Sequence, residues 1–335
     1  MRAARIHEIS GPDNLRVEEV PQPHPGPGEI SVRITAAALN RRDLFITQGL
    51  YPRIALPCTL GSDGAGSVAE LGAGVSGPPA GTRVVIDPQL DWNDDPGILT
   101  RDGGIVGMPG DGTFAEYVIV PARNVHPAPE HLTDAEAAAL PLAGLTAYRA
   151  TFTRGRLVPE DTVLITGIGG GVQTFVLLFA KHFGCRTIVT SGSDEKLARA
   201  KALGADVAIN YKTSPAWYKE ASEASGGGPT LVVDSAGGET FSRALEIARY
   251  GARIVVYGGT TGNATIRPFP IFWKHLTILG TSMGSPSDFA ALLRLVAEAR
   301  LRPVVDRVYP LERIDEAAHR QLEAEQFGKV VLSLA

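Results

Sequence analysis

Through the second half of the chain, short aliphatic runs end in glycine or small polar residues, and each is followed by apolar residues recurring every third or fourth position. The run TVLIT stops at Thr166 and opens into Gly167, Gly169, Gly170 and Gly171. Behind it Val172, Phe175, Val176, Phe179 and Phe183 fall on one helical face. Comparable runs occur at 188–190, 207–209, 231–234, 253–258 and 277–282, each bounded by turn residues. Helical patterns at 195–203 and 239–247 lie between them. This alternation, with about six strands, predicts an α/β fold built on a doubly wound Rossmann parallel sheet.

The first 120 residues follow a different rhythm. Runs at 30–34, 66–71, 83–86 and 115–120 are separated by clusters of Pro, Gly and Asp, which predicts an antiparallel β unit. Past the parallel sheet, Phe289, Leu292, Leu293 and Val296 form another apolar stripe, with Ser285 as N-cap and Pro286 in the first turn. The runs at 304–309 and 329–334 read as strands returning to the first domain. The expected division is therefore 1–143 with 284–335 as one domain, and 144–283 as the other. A chain of 335 residues is long enough for two cores.

The glycine-rich turn is the first sign of chemistry. Residues without side chains at the end of a buried strand let backbone N–H groups approach a pyrophosphate, and the following helix adds its positive N-terminal dipole. A net charge of -4 with dispersed Lys and Arg offers no footprint for nucleic acid. No apolar segment reaches the ~18 to 20 residues that cross a bilayer, and MRAARIHEIS has no apolar core behind its charge. A cytoplasmic protein acting on a small-molecule substrate, with no membrane or nucleic-acid partner, is expected. The two cysteines, Cys58 and Cys185, read as reduced thiols. Asp91, Asp94, Asp95 and Asp102 read as a solvated acidic loop within 88–112.

Several segments, in order, carry a resemblance: LNRRDLFITQGLYP from Leu39, GSDGAGSV from Gly61, GTFAEYVIVP from Gly112, AAALPLAGLTAY from Ala137 and ALGADVAINY from Ala202. Together they resemble the medium-chain dehydrogenase/reductase superfamily, and within it the zinc-independent quinone oxidoreductase branch. The resemblance implies a β-rich GroES-like catalytic domain, a Rossmann domain for the cofactor, and a homo-oligomer, dimer or tetramer, joined through edge strands such as 253–258 or 278–281. The aromatic cluster from Phe269 to Trp273 would line the cavity or a subunit contact.

Where zinc-bearing relatives carry catalytic ligands, this sequence has Asn40, Ser62 and Leu142. Zinc prefers thiolate, imidazole or carboxylate, so no metal is expected. By the resemblance, hydride passes from NADPH to a quinone or an α,β-unsaturated carbonyl. Asn40 would donate its amide N–H to the substrate oxygen, as oxyanion-hole donors do, and Tyr51 would be a second donor. Asp43 would orient the nicotinamide region. The competing reading of Asn40 and Asp43 is a turn or helix cap. Thr146 would sit beside the nicotinamide, with Gly258, Gly259, Thr260, Ser282 and Met283 at strand ends facing the cofactor.

The choice of dinucleotide turns on VTSGSDEK. The usual acidic ribose partner is replaced by small residues, and Ser191, Lys196 and Tyr211 resemble a 2′-phosphate pocket. NADPH is expected over NADH. In the competing reading, Asp194 caps the next helix and Lys196 faces water. An alcohol dehydrogenase or aldehyde reductase of the same superfamily, and a non-catalytic NADPH-binding protein, are the alternative functions.

Overall fold

The computed structural model describes residues 1–92 and 103–334, so Asp94, Asp95 and Asp102 lie outside the described residues. The chain divides into two compact units, Leu145–Gly284 and Met1–Gly144 with Ser285–Ala335.

In Leu145–Gly284 six parallel strands form one sheet. The spatial order is Val207–Asn210, Arg186–Ser191, Thr162–Ile165, Leu231–Asp234, Arg253–Val256 and Thr277–Gly280. Ile188, Leu164, Val232 and Ile254 face one another across neighbouring strands and are fully buried. Helices cover both faces of such a sheet, which is why the strands read as continuous apolar runs without alternation. Helices Gly171–His182, Asp194–Ala202 and Gly238–Ile247 connect strands as the periodicity implied. Trp217–Ala224 is an additional helix, anchored by buried Trp217 and Ala221.

The sheet order corrects one expectation. Arg253–Val256 is hydrogen-bonded on both sides and has no free edge with which to meet another subunit. Thr277–Gly280 is the edge, and its Ile278 is exposed. Phe269, Phe272 and Trp273 are also exposed, on the short helix Pro268–Trp273, where no residue is buried.

The other unit is β-rich. Seven strands form its main sheet, in which Glu29–Ala38 pairs antiparallel with Asp63–Leu71, Tyr117–Pro121 and the C-terminal strand Lys329–Ser333. A smaller sheet joins Arg16–Glu19, Arg2–Ile6 and Cys58–Thr59. Gly66 sits where a Cβ would lie 1.9 Å from the Arg33 carbonyl oxygen, so a side chain there would force the two central strands apart. Ser285 does cap the helix Pro286–Glu298. Its Oγ accepts from the Asp288 N–H, and Asp288 returns a bond from the Ser285 N–H. Both cysteines are free and buried. Asp91 forms an exposed ion pair with Arg123. Among the described residues, no helix is long and apolar enough to cross a membrane.

Candidate active site

The strand Glu29–Ala38 ends in Leu39, and extended Asn40 caps the helix Arg41–Thr47. Asp43, one turn in, accepts the Asn40 backbone N–H at 2.7 Å. The side chain of Asn40 is buried and fully used. Its Nδ2 donates to Asp63 Oδ2 at 2.9 Å and, at 3.4 Å, to the Ala38 carbonyl, while its Oδ1 accepts from Lys329 Nζ at 2.6 Å. The donation to a substrate oxygen read from the sequence therefore gives way to a structural role, because both amide hydrogens already have acceptors.

Lys329 and Asp63 explain this occupancy. They form an ion pair at 2.9 Å with side-chain exposures of 4% and 0%. Lys329 also donates to the Leu39 carbonyl, and Asp63 Oδ1 accepts the Leu142 N–H. The ammonium thus spends its three hydrogens on three oxygens. Asp43 is a less compensated charge. Burial pushes its carboxyl up to about 6, against the opposing pull of Arg42, the Asn40 N–H and Lys329.

Arg42 lies beside this group. Its Nη1 donates to Ser62 Oγ and to the Val106 carbonyl, and its Nε donates to Tyr51 Oη at 3.3 Å. The guanidinium lies 4.8 Å from the Tyr51 ring centroid. The Ser62 hydroxyl donates its own hydrogen bond to the Val106 carbonyl. Tyr51 is half-buried, its ring packed on the core of this unit.

Sequence reasoning passed over Arg42, Asp63 and Lys329. One signal was present: Lys329 heads the strand KVVLS, whose other residues are apolar or small. A cation entering a buried strand demands an acidic partner.

In Leu145–Gly284 the glycine turn has the backbone that its composition implied. Gly167 and Gly169 take φ of 65° and 146°, which side chains rarely adopt, and Gly170 precedes the helix that starts at Gly171 and Val172. The turn is tied to the second strand, since the Gly167 N–H bonds Thr190 Oγ1 and the Ile168 N–H bonds the Thr190 carbonyl. Behind it Thr166 donates to Asp234 at 2.5 Å, and burial raises the Asp234 carboxyl above the usual range.

Ser191 ends the second strand, and the Tyr211 N–H bonds its carbonyl. A Cβ on Gly192 would lie 2.8 Å from Lys212 Cε and 3.0 Å from Tyr211 Oη, so both side chains pack on this glycine. Lys212 was missed because it follows the recognisable segment by one residue. Lys196 stands in the first turn of Asp194–Ala202, whose N-cap is Ser193, with Ser193 Oγ accepting the Lys196 N–H. Asp194 is not the cap; it accepts from Asn210 Nδ2 at 2.7 Å. Gly258, Gly259 and Thr260 follow the fifth strand, and Thr260 bonds back to the Ser235 carbonyl. Ser282 and Met283 follow the sixth, with Met283 buried at a φ of 49°. Thr146 is buried on the helix Pro141–Tyr148.

Comparison with known proteins decides the family. Residues 26–130 match the alcohol dehydrogenase GroES-like domain, and residues 171–298 match the zinc-binding dehydrogenase model. A zinc-type alcohol dehydrogenase-like protein, YogA of Leptosphaeria maculans, is 37% identical over 96% of this chain and 94% of its own length. The chain belongs to the medium-chain dehydrogenase/reductase superfamily. This medium-chain dehydrogenase/reductase is also 31% identical to an acryloyl-coenzyme A reductase of Metallosphaera sedula, over 95% of the chain and 96% of the relative. A crystal structure titled NAD-dependent alcohol dehydrogenase matches all of both chains at 40% identity and a TM-score of 0.95. The GroES-like and Rossmann-like architecture and an oxidoreductase activity with a pyridine nucleotide follow from membership. At the three positions that the resemblance matches to zinc ligands, the residues do not suit a zinc ion. Asn40 and Ser62 already bond Lys329 and Arg42, and Leu142 has no donor atom in its side chain.

Proposed function

We propose that this chain is a cytoplasmic, zinc-independent reductase that uses NADPH to reduce an α,β-unsaturated carbonyl or a quinone. The observation that carries the reading is the donor set at the three positions that the resemblance matches to metal ligands, an amide, a hydroxyl and an isobutyl group, with two buried cations bonded to the polar pair. A divalent ion would need anionic or imidazole ligands there. The relative named acryloyl-coenzyme A reductase supports a conjugated acyl acceptor.

The bound dinucleotide supplies hydride. The turn Gly167–Gly171 and Val172 would hold its pyrophosphate, and Ser191, Tyr211, Lys196 and Lys212 would receive the 2′-phosphate. Thr146, Gly258, Gly259, Thr260, Ser282 and Met283 would form the nicotinamide side of the pocket. Asp43 fixes the start of its helix and with it the Asn40 strut. Tyr51 is left as the hydroxyl that meets the substrate oxygen. The exposed Thr277–Gly280 edge and the aromatics Phe269, Phe272 and Trp273 suit pairing with a second copy.

The NAD-dependent alcohol dehydrogenase of similar structure favours a second reading, alcohol oxidation. Metal analysis of the purified protein, followed by NADPH and NADH consumption with enones, quinones, aldehydes and ethanol, separates the two. NADPH oxidation by enones or quinones in metal-free protein is expected. Stoichiometric zinc, or turnover confined to ethanol and NAD, would overturn the proposal.

A further inference from the structure

We infer that Arg42 is a positioning residue that holds Tyr51 as the proton donor to the substrate's developing oxyanion. The inference rests on the reductase reading above and adds to it a residue and a role.

Arg42 has a side-chain exposure of 8%, yet the partners of its hydrogen bonds are neutral: Ser62 Oγ, the Val106 carbonyl and Tyr51 Oη. Of the neighbouring carboxylates one stands at ion-pair distance, and it does not hydrogen-bond the guanidinium. Asp63 is paired with Lys329, and Asp43 Oδ1 stays 4.0 Å from Arg42 Nη1. A buried cation whose one nearby anion lies beyond hydrogen-bond reach is only partly compensated. The Nη2 atom is buried and has no partner among the described residues. An oxyanion arriving nearby would give this group an acceptor.

The hydroxyls show where that oxyanion belongs. Both accept an N–H from the guanidinium, so their own protons point elsewhere. The Ser62 O–H donates to the Val106 carbonyl. Tyr51 has no acceptor for its proton among the described residues, and its half-buried ring borders the exposed stretch Gln48–Leu50. Of the two, Tyr51 has the uncommitted proton.

The step balances as follows. Hydride addition at the β-carbon moves the C=C pair onto the carbonyl oxygen as an enolate. The Tyr51 O–H bonds that oxygen and transfers its proton, giving the enol, which tautomerises to the saturated carbonyl. The phenolate left behind is held by Arg42 Nε–H and regains a proton from water. Arg42 keeps its proton throughout, since a guanidinium does not deprotonate in this range.

The test uses the full chain with Arg42→Gln, Arg42→Lys, Tyr51→Phe and the Arg42→Gln/Tyr51→Phe double variant. In enone reduction, each of the Gln and Phe changes should lower kcat by about 10²-fold, the scale of general acid catalysis. The double variant should lose no more than Tyr51→Phe alone, and Lys should recover part of the Gln loss. Binding of p-nitrophenolate to dinucleotide-free protein, read from its visible absorbance, should weaken with the same pattern.

Tyr51→Phe keeps the ring beneath the guanidinium, so it decides the matter even where Arg42→Gln fails to fold. Unchanged kcat in Tyr51→Phe, or losses that multiply in the double variant, overturn the inference and leave the reductase reading intact. Coupled loss of p-nitrophenolate binding in a protein that fails to oxidise NADPH whichever enone or quinone is supplied leaves the oxyanion site standing and removes the reductase reading.

Discussion

Replacing Lys329 with Met removes one partner of an ion pair whose members are 4% and 0% exposed, and leaves Asp63 as a buried carboxylate. Breaking such a pair from one side costs roughly 3–5 kcal/mol. Asp63 keeps two donors, the Asn40 amide and the Leu142 N–H, which places its share at the lower end. The Leu39 carbonyl and Asn40 Oδ1 lose a charged donor as well. A net loss of about 4 kcal/mol follows, which at ~2–4 °C per kcal/mol for a unit of this size lowers Tm by roughly 8–16 °C. Urea unfolding at pH 7 measures the loss directly. The companion variant Lys329→Met/Asp63→Asn removes the uncompensated charge while keeping one acceptor, and should recover about 1–2 kcal/mol. A single variant within about 1 kcal/mol of wild type, or a double variant weaker than the single, would refute the claim that the pair holds the Asn40 corner together.

Burial pushes the Asp87 carboxyl up to about 7 from its ordinary 3.8, so the folded chain keeps a proton there that the unfolded chain releases. Its contribution is fully present below pH 3.8 and is lost as pH rises through 7. At ~1.4 kcal/mol per pH unit the loss totals about 4 kcal/mol; Asp87→Asn should remove this dependence, and parallel pH profiles of wild type and variant would contradict the assignment. Lys196→Ala and Lys212→Ala should each raise KM for NADPH about tenfold and leave KM for NADH within about twofold, as charged hydrogen bonds of ~1.5 kcal/mol imply. Equal rises for both dinucleotides would remove the 2′-phosphate pocket. Ser285→Ala should cost about 1 kcal/mol in urea unfolding by uncapping Pro286–Glu298, with a change under about 0.3 kcal/mol counting against the cap.

The architecture was legible because burial on both sides of a parallel sheet leaves a local mark. Each strand of the Rossmann unit is a short aliphatic run, and the glycine turn announces itself by residues that alone tolerate φ of 65° or 146°. Ser285 and Pro286 likewise announce a helix start. Strand order leaves no such mark. Arg253–Val256 and Thr277–Gly280 are similar in length and composition, yet one is interior and one is the edge, a difference set by how the crossovers wind.

The candidate site was legible in residue type and illegible in role for the same reason. Asn40 has the chemistry of an oxyanion donor, and nothing within its own helix turn consumes its amide. The group that orients it is Lys329, 289 positions away, acting together with Asp63. Arg42 could be read locally as one more polar residue in an exposed turn, whereas it is buried and bonded to Ser62 and Val106, far from it in sequence. A polar side chain predicts which hydrogen bonds it can make; only long-range pairing decides which of them remain free for a substrate. By that criterion Tyr51 has the stronger claim than Asn40, because its one bonded partner occupies a lone pair and leaves the proton uncommitted.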